Sequence, residues 1–208
     1  MEYLVTMTTH VPNGTSEVAV QDTRTREAAR SRELAEQGRL LRLWRPPLQP
    51  GEWRTLGLFT ADDEGQLEEV LASMPLRVWR TDEVTPLSPH PNDPARQTGL
   101  PRSPAARASD KTTEFLTTFT STVPADTPAR AVEEADAREA QRARELAGQG
   151  HLLRLWTLPG EGRTLGLWRA HDPAAMQEIV KSLPLYAWMI VQATPLTRHP
   201  SDPALTSS

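Results

Sequence analysis

The chain contains no cysteine. That excludes a disulfide framework, a thiolate nucleophile and a cysteine-ligated metal site. Lysine is almost missing as well: Lys111 and Lys181 are the only two, so Schiff-base chemistry has few candidates and arginine carries nearly all the positive charge. No apolar run approaches the ~20 residues that a membrane-spanning helix needs. The net charge of −4 comes from 23 basic and 27 acidic residues. They are interspersed and form no basic stripe that could track phosphates. Neither nucleic acid nor a membrane is therefore an expected partner. Met1 to Thr6 alternates polar and apolar residues, without the basic start or apolar core of a signal peptide. Together with the missing cysteine, this leads us to expect a cytoplasmic protein.

What is present is a repeat. Glu33-Leu34-Ala35-Glu36-Gln37-Gly38-Arg39-Leu40-Leu41-Arg42-Leu43-Trp44 returns as Glu145-Leu146-Ala147-Gly148-Gln149-Gly150-His151-Leu152-Leu153-Arg154-Leu155-Trp156. Arg54 to Leu58 returns as Arg163 to Leu167, and the tail His90-Pro91-Asn92-Asp93-Pro94 as His199-Pro200-Ser201-Asp202-Pro203. Such a period, near a hundred residues, is too long for a solenoid and suits a whole small domain. The expected organisation is one domain over 1–95, a linker over 96–112 rich in Pro, Ser, Ala and Arg, and a second domain over 113–208.

Each copy reads strand, helix, strand, strand, helix, strand. Tyr3 to Val11 and Phe115 to Val123 alternate and are rich in threonine and aromatics, as strands are. Charged, alanine-rich segments follow, from about Ser16 to Gln37 and from about Pro128 to Gln149, and Gly38 and Gly150 stop them. Leu40 to Trp44 and Trp53 to Thr60 form a hairpin pair, then Asp62-Asp63-Glu64 opens a second helix. The last strand is expected from Leu76 to Leu87. This order predicts an α+β protein of two ferredoxin-like (βαββαβ) domains with antiparallel sheets. Helices cover one face of each sheet, so the open face asks for a partner, and the second copy would supply it as an intrachain pseudo-dimer.

The ordered set Gly38…Leu43-Trp44, Met74-Pro75-Leu76 and His90-Pro91 resembles the muconolactone δ-isomerase family. So does its twin, Gly150…Leu155-Trp156, Leu183-Pro184-Leu185 and His199-Pro200, and Met7-Thr8, Pro12 and Glu27 match as well. The resemblance implies single ferredoxin-like domains that assemble into rings, leaving a higher homo-oligomer open. It also implies a double-bond shift in a small unsaturated lactone, with neither cofactor nor metal. Departures fall where the family lines its pocket. Thr6 and Thr118 stand where a basic residue is common, and Arg45 is kept in one copy but replaced by Thr157 in the other. They imply a larger and more apolar small-molecule substrate, such as an intermediate of secondary metabolism, and two unequal sites.

A carbon-to-carbon proton shift needs a base near neutral pKa and a donor for the charge that develops on oxygen. Glu27 and Glu139 are the duplicated carboxylates of the first helix and the candidate bases; a solvated helix face is the plainer alternative. Arg42 and Arg154 share a strand face with Trp44 and Trp156 and are candidate anion anchors. A cross-strand ion pair would serve the same sequence, and the tryptophans could be core. Trp79 and Trp188 are the other repeated aromatics, as pocket wall or as packing. His90 and His199 could be auxiliary acids, oriented by the aspartate three residues on, or parts of a stiff packing tail. With one His and one Asp per tail, no metal site is expected. The reading is an isomerase or cyclase of a lactone or polyketide-like compound; alternatives are a non-catalytic binding protein and a cofactor-free oxygenase of the dimeric ferredoxin-like type.

Overall fold

A computed structural model of the chain describes residues 1–96 and 112–205. The expected linker therefore lies outside the described residues, apart from its two ends. The first repeat supplies β1 (Glu2–Thr9), α1 (Glu17–Glu36), β2 (Leu40–Arg45), β3 (Arg54–Thr60), α2 (Glu64–Ala72) and β4 (Arg80–Pro89). The second supplies β5 (Thr113–Ser121), α3 (Ala129–Gly148), β6 (Leu152–Thr157), β7 (Arg163–Ala170), α4 (Pro173–Lys181) and β8 (Met189–Arg198).

Local chemistry explains these elements. In β1 every second residue is buried, so Tyr3, Val5, Met7 and Thr9 face the helices and Leu4, Thr6 and Thr8 face away. Ser16 caps α1 by accepting from the Ala19 amide at 3.2 Å, and Asp63 caps α2 through Gln66 at 2.8 Å. Gly38 and Gly150 follow α1 and α3 at φ 69° and 79°, left-handed values that end a helix without strain. Pro75 starts a 3-10 turn through Trp79, so the last strand begins at Arg80, later than the expected Leu76. Proline at the head of that turn lacks an amide to donate into a sheet ladder.

Each sheet is antiparallel, in the order β2-β3-β1-β4 in the first repeat and β6-β7-β5-β8 in the second. With two helices on one face, each is a ferredoxin-like domain. Leu34, Leu40, Leu43, Phe59 and Leu71 form the helix–sheet core of the first; Leu146, Leu152, Leu155, Trp168 and Met176 form that of the second.

The compact units are offset from the repeats. One comprises Met1–Leu87 and the tail from Thr197; the other is Ser88–Leu196. In the first unit, Thr197 and Arg198 pair with Arg45 and Trp44 along the outer edge of β2. In the second, Ser88 and Pro89 pair with Thr157 and Trp156 along β6. Each unit thus closes an open sheet edge with the tail of the other repeat.

An ion pair fastens each tail. Asp202, with its side chain wholly buried, takes the Arg42 guanidinium edge-on, Nε to Oδ1 at 3.1 Å and Nη2 to Oδ2 at 3.1 Å. The same Oδ1 accepts from the Leu43 amide at 3.1 Å. Asp93 does the same for Arg154 at 3.2 Å and for the Leu155 amide at 3.1 Å. Removing one partner of a buried pair strands the other charge. Asp202→Ala is therefore expected to destabilise the first unit by about 3 kcal/mol, seen as a lower urea midpoint. A loss no larger than that of an exposed pair, under about 1 kcal/mol, would show that the tail is held by something else.

Candidate active site

A bulge in β2 decides which side chains face the helix side of the sheet. The register with β3 slips between Leu40 and Arg42, and the same slip recurs in β6 between Leu152 and Arg154. The extra residue resets the alternation. Leu43 and Arg45 then point towards α1, while Arg42 and Trp44 lie together on the opposite face with the guanidinium 4.7 Å above the indole. Arg154 over Trp156 repeats this at 4.7 Å.

The first unit holds a cavity of about 390 Å³ between α1 and the sheet. Glu27 enters it from α1, His199 from the tail, Arg45 from β2 and Arg80 from β4, with Arg24 and Trp53 also lining it. Arg24 sits 4.8 Å over the Trp53 ring. The Glu27 carboxylate accepts from the Leu76 amide at 2.9 Å and from Arg80 Nη1 at 3.2 Å. Arg80 is itself 2% exposed and bound to the buried Asp82 at 2.6 Å. Burial pushes the Glu27 carboxyl above its usual range, with Asp82 adding to the rise; the Leu76 amide and Arg80 pull it back. Burial pushes the His199 ring down to about 4, helped by Arg45 and Arg24 and opposed by Asp202. The ring is therefore neutral at pH 7. Its Nδ1 accepts from the Ser201 amide at 3.1 Å, which leaves the ring proton on Nε2.

The second unit repeats the plan in a cavity of about 460 Å³. Glu139 accepts from the Leu185 amide at 3.0 Å, and burial again raises its carboxyl, with Asp136 adding to the effect. His90 brings its ring from the first repeat's tail, with Nδ1 accepting from the Asn92 amide at 3.1 Å. Burial lowers its pKa against the pull of Asp93. Where the first cavity has Arg80, backed by Asp82, the second has Met189, and Val191 stands at the position of Asp82.

Of the residues singled out from sequence, Glu27 and His199 meet in one cavity and Glu139 and His90 in the other; Arg45 lines the first. Each histidine serves the cavity of the other repeat's helix, a pairing the repeat alone does not show. Arg42 and Arg154 are placed in the tail clamps and outside both linings, in ion pairs whose acids come from the tails and not from a neighbouring strand. Asp93 and Asp202 hold those arginines, and each histidine ring accepts from the amide two residues on and not from its aspartate. Trp44 and Trp156, each 1% exposed, are buried on the face away from the cavities. Thr6 and Thr118 lie on that face too, by the alternation of β1 and β5. Trp79 and Trp188 end 3-10 turns, half-buried, beyond both linings. The tryptophans that line the cavities are Trp53 and Trp168 instead. Neither is repeated as tryptophan, so a search for repeated aromatics passes over them. Arg80 and Asp82 escaped for the same reason, although two opposite charges two apart on one strand face are a readable signal for a shared site.

The profile of the family described as Muconolactone delta-isomerase matches residues 1–93 and again 113–202. The chain belongs to the muconolactone δ-isomerase family. Muconolactone Delta-isomerase 1 of Acinetobacter lwoffii is 33% identical over 80 residues, which are 38% of this chain and 83% of that protein. Muconolactone Delta-isomerase of Cupriavidus pinatubonensis is 29% identical over 92 residues, 44% of this chain and 97% of that one. A heme-binding protein from Thermus thermophilus is similar in fold along the whole chain, with TM-score 0.59 at 14% identity, covering 100% of this chain and 95% of the other. Muconolactone δ-isomerase repeats thus account for both domains, and this chain carries two in tandem.

The electrostatics have consequences for stability. A histidine whose pKa falls on folding stabilises the native state above its unfolded value, near 6.5, and loses that contribution as pH drops towards the folded value of about 4. His199→Asn should flatten the acid side of the stability curve relative to wild type between those values; parallel curves in urea titrations would contradict the burial of the ring. A glutamate with a raised pKa behaves oppositely: its contribution is full below the unfolded value and is lost as pH rises through the folded one. Glu139→Gln is accordingly expected to raise the melting temperature at pH 7 and to leave it unchanged near pH 4. A lower melting temperature at pH 7 would mean that the ionised carboxylate is stabilised where it sits.

Proposed function

We propose that the protein is a cofactor-independent isomerase or cyclase that moves a proton between carbons of a small-to-medium unsaturated lactone or polyketide-like compound, as a tailoring step of secondary metabolism. The observation that carries this reading is the repeated pairing of a half-buried carboxylate with a neutral histidine, Glu27 with His199 and Glu139 with His90, each pair in one cavity.

The chemistry follows from those groups. The ionised glutamate takes a proton from the γ carbon of a conjugated carbonyl, the saturated carbon at the far end of the double bond. A dienolate forms, with its negative charge on the carbonyl oxygen. The glutamic acid then returns the proton to another carbon of the conjugated system, and the double bond has moved. Atoms balance without an external oxidant or reductant. A carboxylate raised by burial is a stronger base than a solvated one and so matches this task better. The neutral ring offers Nε2–H to the developing oxyanion without being consumed as an acid. In the first cavity Arg45 and Arg80 add positive potential at the same place. The leucine amide on each glutamate, at 2.9 and 3.0 Å, fixes the carboxylate's direction between the two transfers. Sequence divergence from the curated relatives, with identities of 29 and 33%, supports a substrate other than theirs. The cysteine-free composition supports a cytoplasmic location.

The test is the double variant Glu27→Gln/Glu139→Gln, assayed for turnover of unsaturated lactones and for deuterium uptake from D2O at the migrating carbon. Loss of about 10²- to 10⁴-fold is expected, the range for removing a general base, with the circular dichroism spectrum unchanged. Undiminished turnover in the folded double variant would overturn the assignment. Wild-type binding without exchange or turnover would point to a binding protein.

A further inference from the structure

The two cavities descend from one repeated sequence, so their differences can be compared position by position. The proton-transfer pair is kept in both, and the charge around it is reversed. Three guanidiniums and one carboxylate line the first cavity, from Arg24, Arg45, Arg80 and Glu27. One guanidinium and two carboxylates line the second, from Arg163, Asp136 and Glu139. The counterparts of Arg24, Arg45 and Arg80 are Asp136, Thr157 and Met189.

The change is concerted rather than a loss of single groups. Arg80 and Asp82 disappear together and return as Met189 and Val191, so no unpaired charge is left buried. Ser31 becomes Ala143 and Met7 becomes Phe119, both lining positions. Trp168 replaces Phe59, and its Nε1 donates to Thr117 Oγ1 at 2.8 Å. The indole's polar atom is thus satisfied inside the domain, and its hydrocarbon is what lines the cavity. Phe119 meets that ring edge-on at 6.1 Å. The remaining guanidinium, Arg163, is exposed and donates to the Pro159 carbonyl at 3.1 Å.

We infer that the cavity of the second unit is a site for an uncharged, planar, unsaturated ligand, a class distinct from the carboxylate-bearing compound that the arginines of the first cavity suit. A carboxylate entering the second cavity meets Asp136 and Glu139 without the three arginine counterparts. A flat neutral ring meets Trp168, Phe119 and Met189 and buries apolar surface on them. That this ligand is also turned over rests on the acid–base reading of Glu139 and His90; that it binds there does not.

The experiment is calorimetric titration of the full chain with muconolactone, which carries a carboxylate, and with its uncharged methyl ester. The ester is expected to bind one site per chain, and Ala140→Trp, which fills the second cavity, should abolish that binding and spare the acid. Ala28→Trp, which fills the first, should do the reverse. Each cavity should favour its own ligand by about tenfold or more, the scale of one charge-assisted contact. Thr157→Arg, at an exposed strand end, restores the arginine of the first cavity and should create a second site for the acid; this variant decides the matter if a tryptophan variant does not fold. Acid binding equally well to both cavities of the wild type, ester binding that survives Ala140→Trp, or no ester binding at all would each overturn the proposal. Because binding is read and not turnover, a Glu27→Gln/Glu139→Gln chain that keeps full turnover with this binding pattern intact would fault the acid–base reading alone.

Discussion

The buried arginine–aspartate clamps are the contacts on which both candidate sites depend. Asp202 on Arg42 and Asp93 on Arg154 each join a tail to the bulged strand of a unit, and each aspartate also accepts the amide of the residue after its arginine. That amide lies in the strand whose side chains enter the cavity. The histidine stands three residues before the aspartate in a proline-flanked segment, so seating the aspartate sets where the ring can go. A surface pair could not do this, because solvent screening and side-chain entropy would leave the tail free. Here the aspartates are almost wholly excluded from water, and leaving either unpaired is costly.

Burial then tunes the chemistry in opposite senses for the two partners. Desolvation disfavours the charged form of either group, so it raises the glutamates and lowers the histidines. A base that holds its proton more readily and a ring that stays neutral are what a reversible carbon-to-carbon proton transfer uses. The first cavity adds arginines, which pull Glu27 back towards the ionised form and push His199 further down. In the second cavity burial is opposed by the Leu185 amide at Glu139 and by Asp93 at His90, with no arginine contributing. One scaffold thus hosts two electrostatic settings around the same pair of groups, which is open to a tandem gene because each copy can change separately.

Much of this was legible in the chain. The doubled element order, with alternation in β1 and β5 and glycines after α1 and α3, specifies the ferredoxin-like domains because these signals are local. The duplicated Glu27/Glu139 and His90/His199 stand out because both copies keep them. The roles of Arg42 and Trp44 were half legible: the two do share a face, but a one-residue bulge turns that face away from the cavity, and nothing in Leu40-Leu41-Arg42 announces a bulge. Arg80, Asp82, Trp53 and Trp168 were hidden by the comparison of the copies itself, since it selects what is shared and these residues are where the copies part.

The sequence by itself determined the two domains, their strand order, the carboxylate–histidine inventory and the absence of thiol chemistry, because periodicity, capping and composition act over a few residues. Only the tertiary structure decided which histidine meets which glutamate, that Arg42 and Arg154 hold tails and not ligands, and that one cavity is rich in arginine and the other in carboxylates and aromatic rings. Those outcomes depend on contacts between residues up to 160 positions apart, and on desolvation, which has no value until the surrounding atoms are in place.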